Sequence, residues 1–187
     1  MPSTDSAVLD TCCLTPGSTR STLLRAATAG LYQPHLTEKI LEELVHTLID
    51  KLHMSEEDAQ SIIHRIRIHF PEAFVTAHIP LIPVMPVNEK DQHVLAPAVA
   101  SRAQFIVTEN LKHFPRKLLS PFDIEALSVD DFLTHLFDKE TAVMVKIIQQ
   151  QASALQPPQT PLFVLEKLAR IAPHFANMVR CEMAEEI

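Results

Sequence analysis

Short, continuously apolar runs alternate with longer amphipathic segments through the first two thirds of the chain, and this alternation restricts the fold more than any other feature. Ala7-Val8-Leu9 and Phe105-Ile106-Val107 have the length and composition of buried strands, whereas the segments between them carry helical periodicity. Strands that alternate with helices form a parallel sheet covered on both faces. The expected fold is therefore α/β, with three α/β/α layers around a central parallel sheet.

After the first run, Leu14 to Arg20, with Pro16 and Gly17, reads as a loop leading into a helix through Leu23, Leu24 and Ala27. Thr37 is placed to cap a helix of about four turns whose apolar stripe is Ile40, Leu41, Leu44, Val45, Leu48, Ile49 and Leu52. Ser55, followed by Glu56, Glu57 and Asp58, opens a second helix that ends at Pro71. Between Ile79 and Val87 three prolines interrupt an apolar stretch, which leaves a short strand near Leu81 to Val84 at or near a sheet edge. A helix from Asp91 to Ser101 follows, with Pro97 inside it removing a backbone hydrogen bond at a cost of ~3 kcal/mol unless the helix kinks. The α/β unit is expected over residues 5–127. Residues 128–187 read as an all-helical appendage over 130–137, 140–155 and 162–183, broken at Gln156 to Pro161 and again at Pro173.

Composition removes several function classes. Two glycines, Gly17 and Gly30, are too few for a P-loop or a dinucleotide fingerprint. Cys12, Cys13 and Cys181 form no CxxC pair and read as buried thiols in a reducing compartment. No apolar run approaches the ~20 residues of a membrane span, and the first residues lack signal-peptide character, so a cytoplasmic protein without a membrane partner is expected. A net charge of -7 argues against coating nucleic acid through overall charge but leaves room for a local basic groove.

Four segments place oxygen donors at the edge of an apolar element: Asp10 after the first strand, Glu42 and Glu43 on the first long helix, Asp91 at a helix start, and Thr108-Glu109-Asn110 after Val107. Such donors suit Mg²⁺ or Mn²⁺, and groups beyond the carboxyl ends of parallel strands share one crevice. Asp10 alone is explained as a turn residue and Asp91 as a helix cap. Glu42 and Glu43 flank the apolar stripe symmetrically, and periodicity does not choose between them. The ten histidines contain no HExxH motif and read mostly as surface or satisfied groups. Neither a GxSxG motif nor an adjacent Cys and His constellation supports covalent catalysis, which leaves metal-assisted hydrolysis. Arg20 and Arg25 after the first strand, and Lys112, Arg116 and Lys117 after the fourth segment, are candidate phosphate contacts around the crevice, with Thr108 on the same edge.

Val8-Leu9-Asp10-Thr11, Glu43-Leu44 with Leu48, Asp91 with Val94-Leu95-Ala96, and Ile106-Val107-Thr108-Glu109-Asn110-Leu111-Lys112-His113-Phe114-Pro115 together resemble a PIN domain. The tail is similar to the C-terminal domain of certain VapC-like toxins. The resemblance implies a magnesium-dependent ribonuclease, the toxin of a bacterial toxin-antitoxin pair, neutralised by a small antitoxin protein that reaches into the acidic site. It assigns Asp10, Glu43 and Asp91 to the metal and Asn110 to the fourth catalytic position. PIN domains commonly carry Asp at that position, and some relatives have Asp at the place of His113. An amide supplies an oxygen but no charge, so the second implied function is a catalytically impaired module that binds RNA or protein. The tail could cover the crevice, bind the partner or pair two subunits as a homodimer.

Overall fold

Ala7, Val8 and Leu9 have no exposed surface, as a strand with a neighbour on each side and helices on each face requires. The computed structural model describes residues 5–185. In chain order the elements are β1 (Asp5–Leu9), α1 (Thr11–Leu14), α2 (Gly17–Thr28), β2 (Tyr32–His35), α3 (Glu38–Asp50), α4 (Glu56–His69), α5 (Gln92–Ser101), β3 (Phe105–Val107), α6 (Arg116–Leu119) and β4 (Glu125–Leu127). Four helices follow: α7 (Val129–Lys139), α8 (Thr141–Ser153), α9 (Pro161–Leu168) and α10 (Pro173–Glu185). The strands form one parallel sheet in the order β2-β1-β3-β4, flanked by helices, which is the expected three-layer fold with C-terminal helices. From β1 the chain crosses first to β2 on one side and then to β3 on the other. The carboxyl ends of β1 and β3 therefore bound the crevice that such a reversal opens.

Helix starts follow local chemistry. The Thr37 side chain accepts from Ile40 N at 3.2 Å, and Ile40, Leu41, Leu44 and Leu48 of α3 have no exposed surface. Ser55 accepts from Asp58 N at 3.1 Å, with three acids in the first turn of α4 and Arg67 and His69 in the last.

Other expectations need correction. Leu81 to Val84 is not a strand: Ile79–Val84 is 3-10 helix, because Pro80 and Pro83 fix φ and remove the donors a ladder needs. The loop assigned to Leu14 to Arg20 is mostly helical, with α2 starting at Gly17. Strand β2, for which the sequence offers no strand signal, contains Pro34 and lies at the sheet edge, where a missing N–H is tolerated. Gly30, at φ 78, supplies the left-handed turn from α2 into it. Pro97 lies inside α5, which continues through it to Ser101. Of the cysteines only Cys13 is buried; Cys12 is half-buried and Cys181 exposed.

The C-terminal helices share the core of the sheet. Phe132 of α7 has no exposed surface and meets Tyr32 of β2 edge to face at 4.9 Å between centroids. Asp5, at the amino end of β1, accepts from His135 Nε2 and Lys139 Nζ of α7, both at 2.7 Å. Thr22 of α2 donates to Gln151 Oε1 of α8 at 2.8 Å, which satisfies a buried amide. Asp130 caps α10 from a distance, accepting from His174 N at 3.1 Å and Phe175 N at 2.8 Å.

Tyr32 is the lone tyrosine and the chain has no tryptophan, so its fluorescence reports on this junction. In urea titrations the Tyr32 signal and far-ultraviolet dichroism are expected to fall in one coincident transition. Phe132→Ala should shift that transition by about 3–5 kcal/mol; separate transitions for the two probes would show that sheet and tail unfold independently.

Candidate active site

Parallel pairing of Leu9 with Val107 sets the next residues of both strands side by side. Asp10 N donates to Val107 O at 3.1 Å, and the Thr108 hydroxyl donates to Asp10 Oδ2 at 2.6 Å. Asp10 is 8% exposed and receives a second bond from Cys12 Sγ at 3.3 Å. Thr108, expected on the substrate edge, has no exposed surface, and its hydroxyl is engaged with Asp10. Asn110 N donates to Thr108 Oγ1 at 3.1 Å, which folds the chain back over the strand end.

Asp10, Glu43, Asp91 and Asn110 line one crevice of about 530 Å³. Of the two glutamates that periodicity left open, Glu43 faces the crevice and Glu42 is exposed on the outer flank. Thr47 and Lys51 line it as well, each one helical turn beyond the last, so one edge of α3 continues into it. Asp91 precedes α5, but its carboxylate makes no cap bond to the helix. Its Oδ1 accepts instead from His113 Nδ1 at 3.2 Å, and its Oδ2 is buried without a hydrogen-bond partner.

Glu43 Oε2 accepts from His93 Nε2 at 3.1 Å and from the Thr11 hydroxyl at 3.3 Å, while Oε1 lies 3.7 Å from Lys39 Nζ. Burial would raise the Glu43 carboxyl, but the His93 hydrogen bond and charge, with help from Lys39 and Thr11, hold it below its ordinary value. The same pair acts in reverse on His93: burial would lower it, and the bond to Glu43 raises it above 6.5.

Two of the ten histidines, most of which the sequence suggests are surface or satisfied groups, stand at the crevice: His93 and His113. Satisfied they are, but by the crevice carboxylates themselves. Their signal was proximity, since His93 lies two residues after Asp91 and His113 three after Asn110.

The cations expected at the rim lie elsewhere. Lys112, Arg116 and Lys117 are exposed outside the crevice lining, and Arg20 and Arg25 line a separate cavity beside α2 and α4. Lys51 and Lys90 line the crevice in their stead. A larger cavity of about 870 Å³ adjoins it, sharing Glu43, Lys90 and His93 and walled by Phe74, Val75, Ile79 and Ile82.

The chain is similar to known proteins along most of its length. Residues 5–112 match the PIN domain family, and residues 129–181 match the VapC50 C-terminal domain. A Mycobacterium tuberculosis protein whose provisional name is ribonuclease VapC50 is 43% identical over 109 residues, covering 58% of this chain and 64% of that protein. The alignment thus spans somewhat less than two thirds of the relative's length. No solved structure matches the chain significantly. With four strands in parallel order, the acidic crevice at the reversal of the sheet and the family match over residues 5–112, this chain belongs to the PIN domain family.

Proposed function

We propose that the chain is a Mg²⁺- or Mn²⁺-dependent endoribonuclease that hydrolyses RNA phosphodiester bonds, acting as the toxin of a toxin-antitoxin pair restrained by a small protein antitoxin. The observation that carries this reading is the shared crevice of Asp10, Glu43 and Asp91, three carboxylates from β1, α3 and the start of α5. Residues 5–127 form the nuclease unit and 128–187 the helical one in this reading, and the apolar wall of the adjoining cavity suits apolar side chains of the antitoxin.

The residues fit a hard cation. All three acids offer oxygen, and the buried, unpartnered Asp91 Oδ2 is a donor site without a hydrogen. Among the described residues no group of three His, Cys, Asp or Glu side chains is close enough to hold one ion together. Mg²⁺ commonly needs only one or two carboxylates, keeping water in its other positions. When bound, the cation supplies Lewis acidity to the phosphodiester and activates a water near neutral pH.

The remaining work falls to the chain. Thr108 and Cys12 orient Asp10, His113 holds one oxygen of Asp91 and leaves the other without a hydrogen-bond partner, and His93 and Thr11 fix Glu43. Lys51 and Lys90 bring positive charge to the wall where phosphates enter. Asn110 lines the crevice as a neutral donor and acceptor, which favours weak cation binding over none.

Purified protein is expected to cleave single-stranded RNA with Mg²⁺ and to stop when the cation is chelated. Asp10→Asn or Asp91→Asn should lower kcat/KM roughly a hundredfold or more, and Asn110→Asp should lower the Mg²⁺ concentration at half-maximal rate. RNA binding without cleavage under any divalent cation would replace the enzyme by the binding module.

The pair of His93 and Glu43 also gives a pH signature in the cation-free protein. Its stabilisation is complete between the unfolded values of 4.5 for Glu43 and 6.5 for His93. It is lost as pH rises through the raised value of His93, and equally as pH falls through the lowered value of Glu43. Denaturant melts of wild type and His93→Gln should therefore differ more at pH 5.5 than well above neutrality; an equal gap at both would mean that the pair is not ionised.

A further inference from the structure

We propose a second RNA-binding site, outside the catalytic crevice, in which Arg25 and Arg65, supported by Arg20, hold backbone phosphates of single-stranded RNA between α2 and α4. The inference rests on the ribonuclease reading above and adds to it a surface that takes the strand beyond the cut.

The three arginines and His69 line one cavity of about 430 Å³, and no acidic residue lines it among the described residues. This is notable in a chain with 23 acidic against 16 basic side chains. Arg20 has a structural duty: its Nη1 donates to Leu14 O at 2.6 Å and Thr15 O at 3.1 Å. Arg25 donates from Nε to the Ser21 hydroxyl at 3.3 Å, and among the described residues neither Arg25 nor Arg65 forms an ion pair. Arg67, on the same helix as Arg65, does find a carboxylate in Glu38. Burial, and then the charge of Arg65, hold the Arg20 guanidinium below its ordinary value, so the cluster bears mutual repulsion that a bound anion relieves.

Position and chemistry select phosphate on a nucleic-acid strand. Thr15 and Pro16 line the catalytic crevice, while the next residue, Gly17, lines the arginine cavity, so one short turn is their common wall. Leu24, Ile62, Ile66 and Phe70 give the cavity an apolar floor, a surface on which an unstacked base can rest. Arg25 and Ser21 also border a further hollow of about 340 Å³ that ends at Lys167, again without an acidic residue in its described lining. Lys51 and Lys90 thus line the crevice, Arg65 and Arg25 the cavity that shares its wall, and Arg25 and Lys167 the further hollow. Guanidinium groups provide the planar donor geometry that phosphate oxygens accept.

The test is equilibrium binding of the full chain, with divalent cations chelated, to a labelled single-stranded RNA of about 16 nucleotides, as a function of salt. The double variant Arg25→Gln with Arg65→Gln should weaken binding roughly tenfold or more at low salt and flatten the plot of log affinity against log salt by about 1.4, for two lost phosphate contacts. Arg25→Lys with Arg65→Lys should retain most of the slope, since the charges remain. Arg67→Gln, which removes a cation already paired with Glu38, serves as control and should change neither quantity. Thermal melts of each variant establish that the fold persists, and the lysine pair covers the case in which the glutamine pair unfolds.

Unchanged affinity and slope in the folded glutamine pair overturn the site, as does a wild-type chain that does not bind RNA. A loss of poly-glutamate binding with RNA binding intact also overturns it, in favour of an acidic protein ligand. A matching loss for inorganic phosphate without one for RNA reduces it to a free-anion site and overturns the strand. Wild-type protein that binds RNA but never cleaves it with Mg²⁺ sinks the ribonuclease reading alone and leaves this site standing.

Discussion

The pairing of β1 with β3 is the constraint on which the crevice depends. Leu9 opposite Val107 brings Asp10 and Thr108 to the same level at the carboxyl edge, and their short hydrogen bond follows from that register. A slip of one residue would send alternate side chains to the opposite face and separate the pair. Because the chain reverses its direction of travel across the sheet here, α3 and α5 are free to bring Glu43 and Asp91 to the same opening.

Gathering carboxylates at one edge is electrostatically unfavourable, and the chain offsets it with neighbours rather than with burial. Two carboxylates are each held by an imidazole, Glu43 by His93 and Asp91 by His113, while Asp10 relies on a hydroxyl and a thiol. These bonds occupy one side of each group. What remains is Asp91 Oδ2, buried and without a hydrogen-bond partner. Leaving such an oxygen bare costs stability that a fold concerned only with packing would have no reason to give up.

Much of this was legible in the sequence. Continuous apolar runs revealed β1 and β3, Thr37 and Ser55 marked the starts of α3 and α4, and Pro173 marked a break in the tail. Segments whose local signal contradicts their tertiary role were hidden. Tyr32–His35 contains a proline that only an edge position excuses, Glu125–Leu127 is too short to show alternation, and the apolar residues from Ile79 to Val84 cannot pair because prolines set their backbone. At the crevice, the oxygen donors were visible because strand ends and helix starts fix where they go. The cations were not: Arg20 and Arg25 follow β1 closely in sequence, but the turn of α2 carries them to its α4 side. Lys51 was the traceable one, two turns along the helix edge that begins at Glu43.

Glu109 stands between two residues that serve the crevice, yet it faces away. Its Oε1 accepts from Val129 N at 2.9 Å and so holds the first turn of α7, while Thr108 grips Asp10 and Asn110 borders the opening. Three consecutive residues thus tie the edge of the acidic crevice and the helical tail into a single joint. A tilt of α7 therefore pulls on the peptide between Thr108 and Asn110, which couples the position of the tail to the edge that carries Asp10.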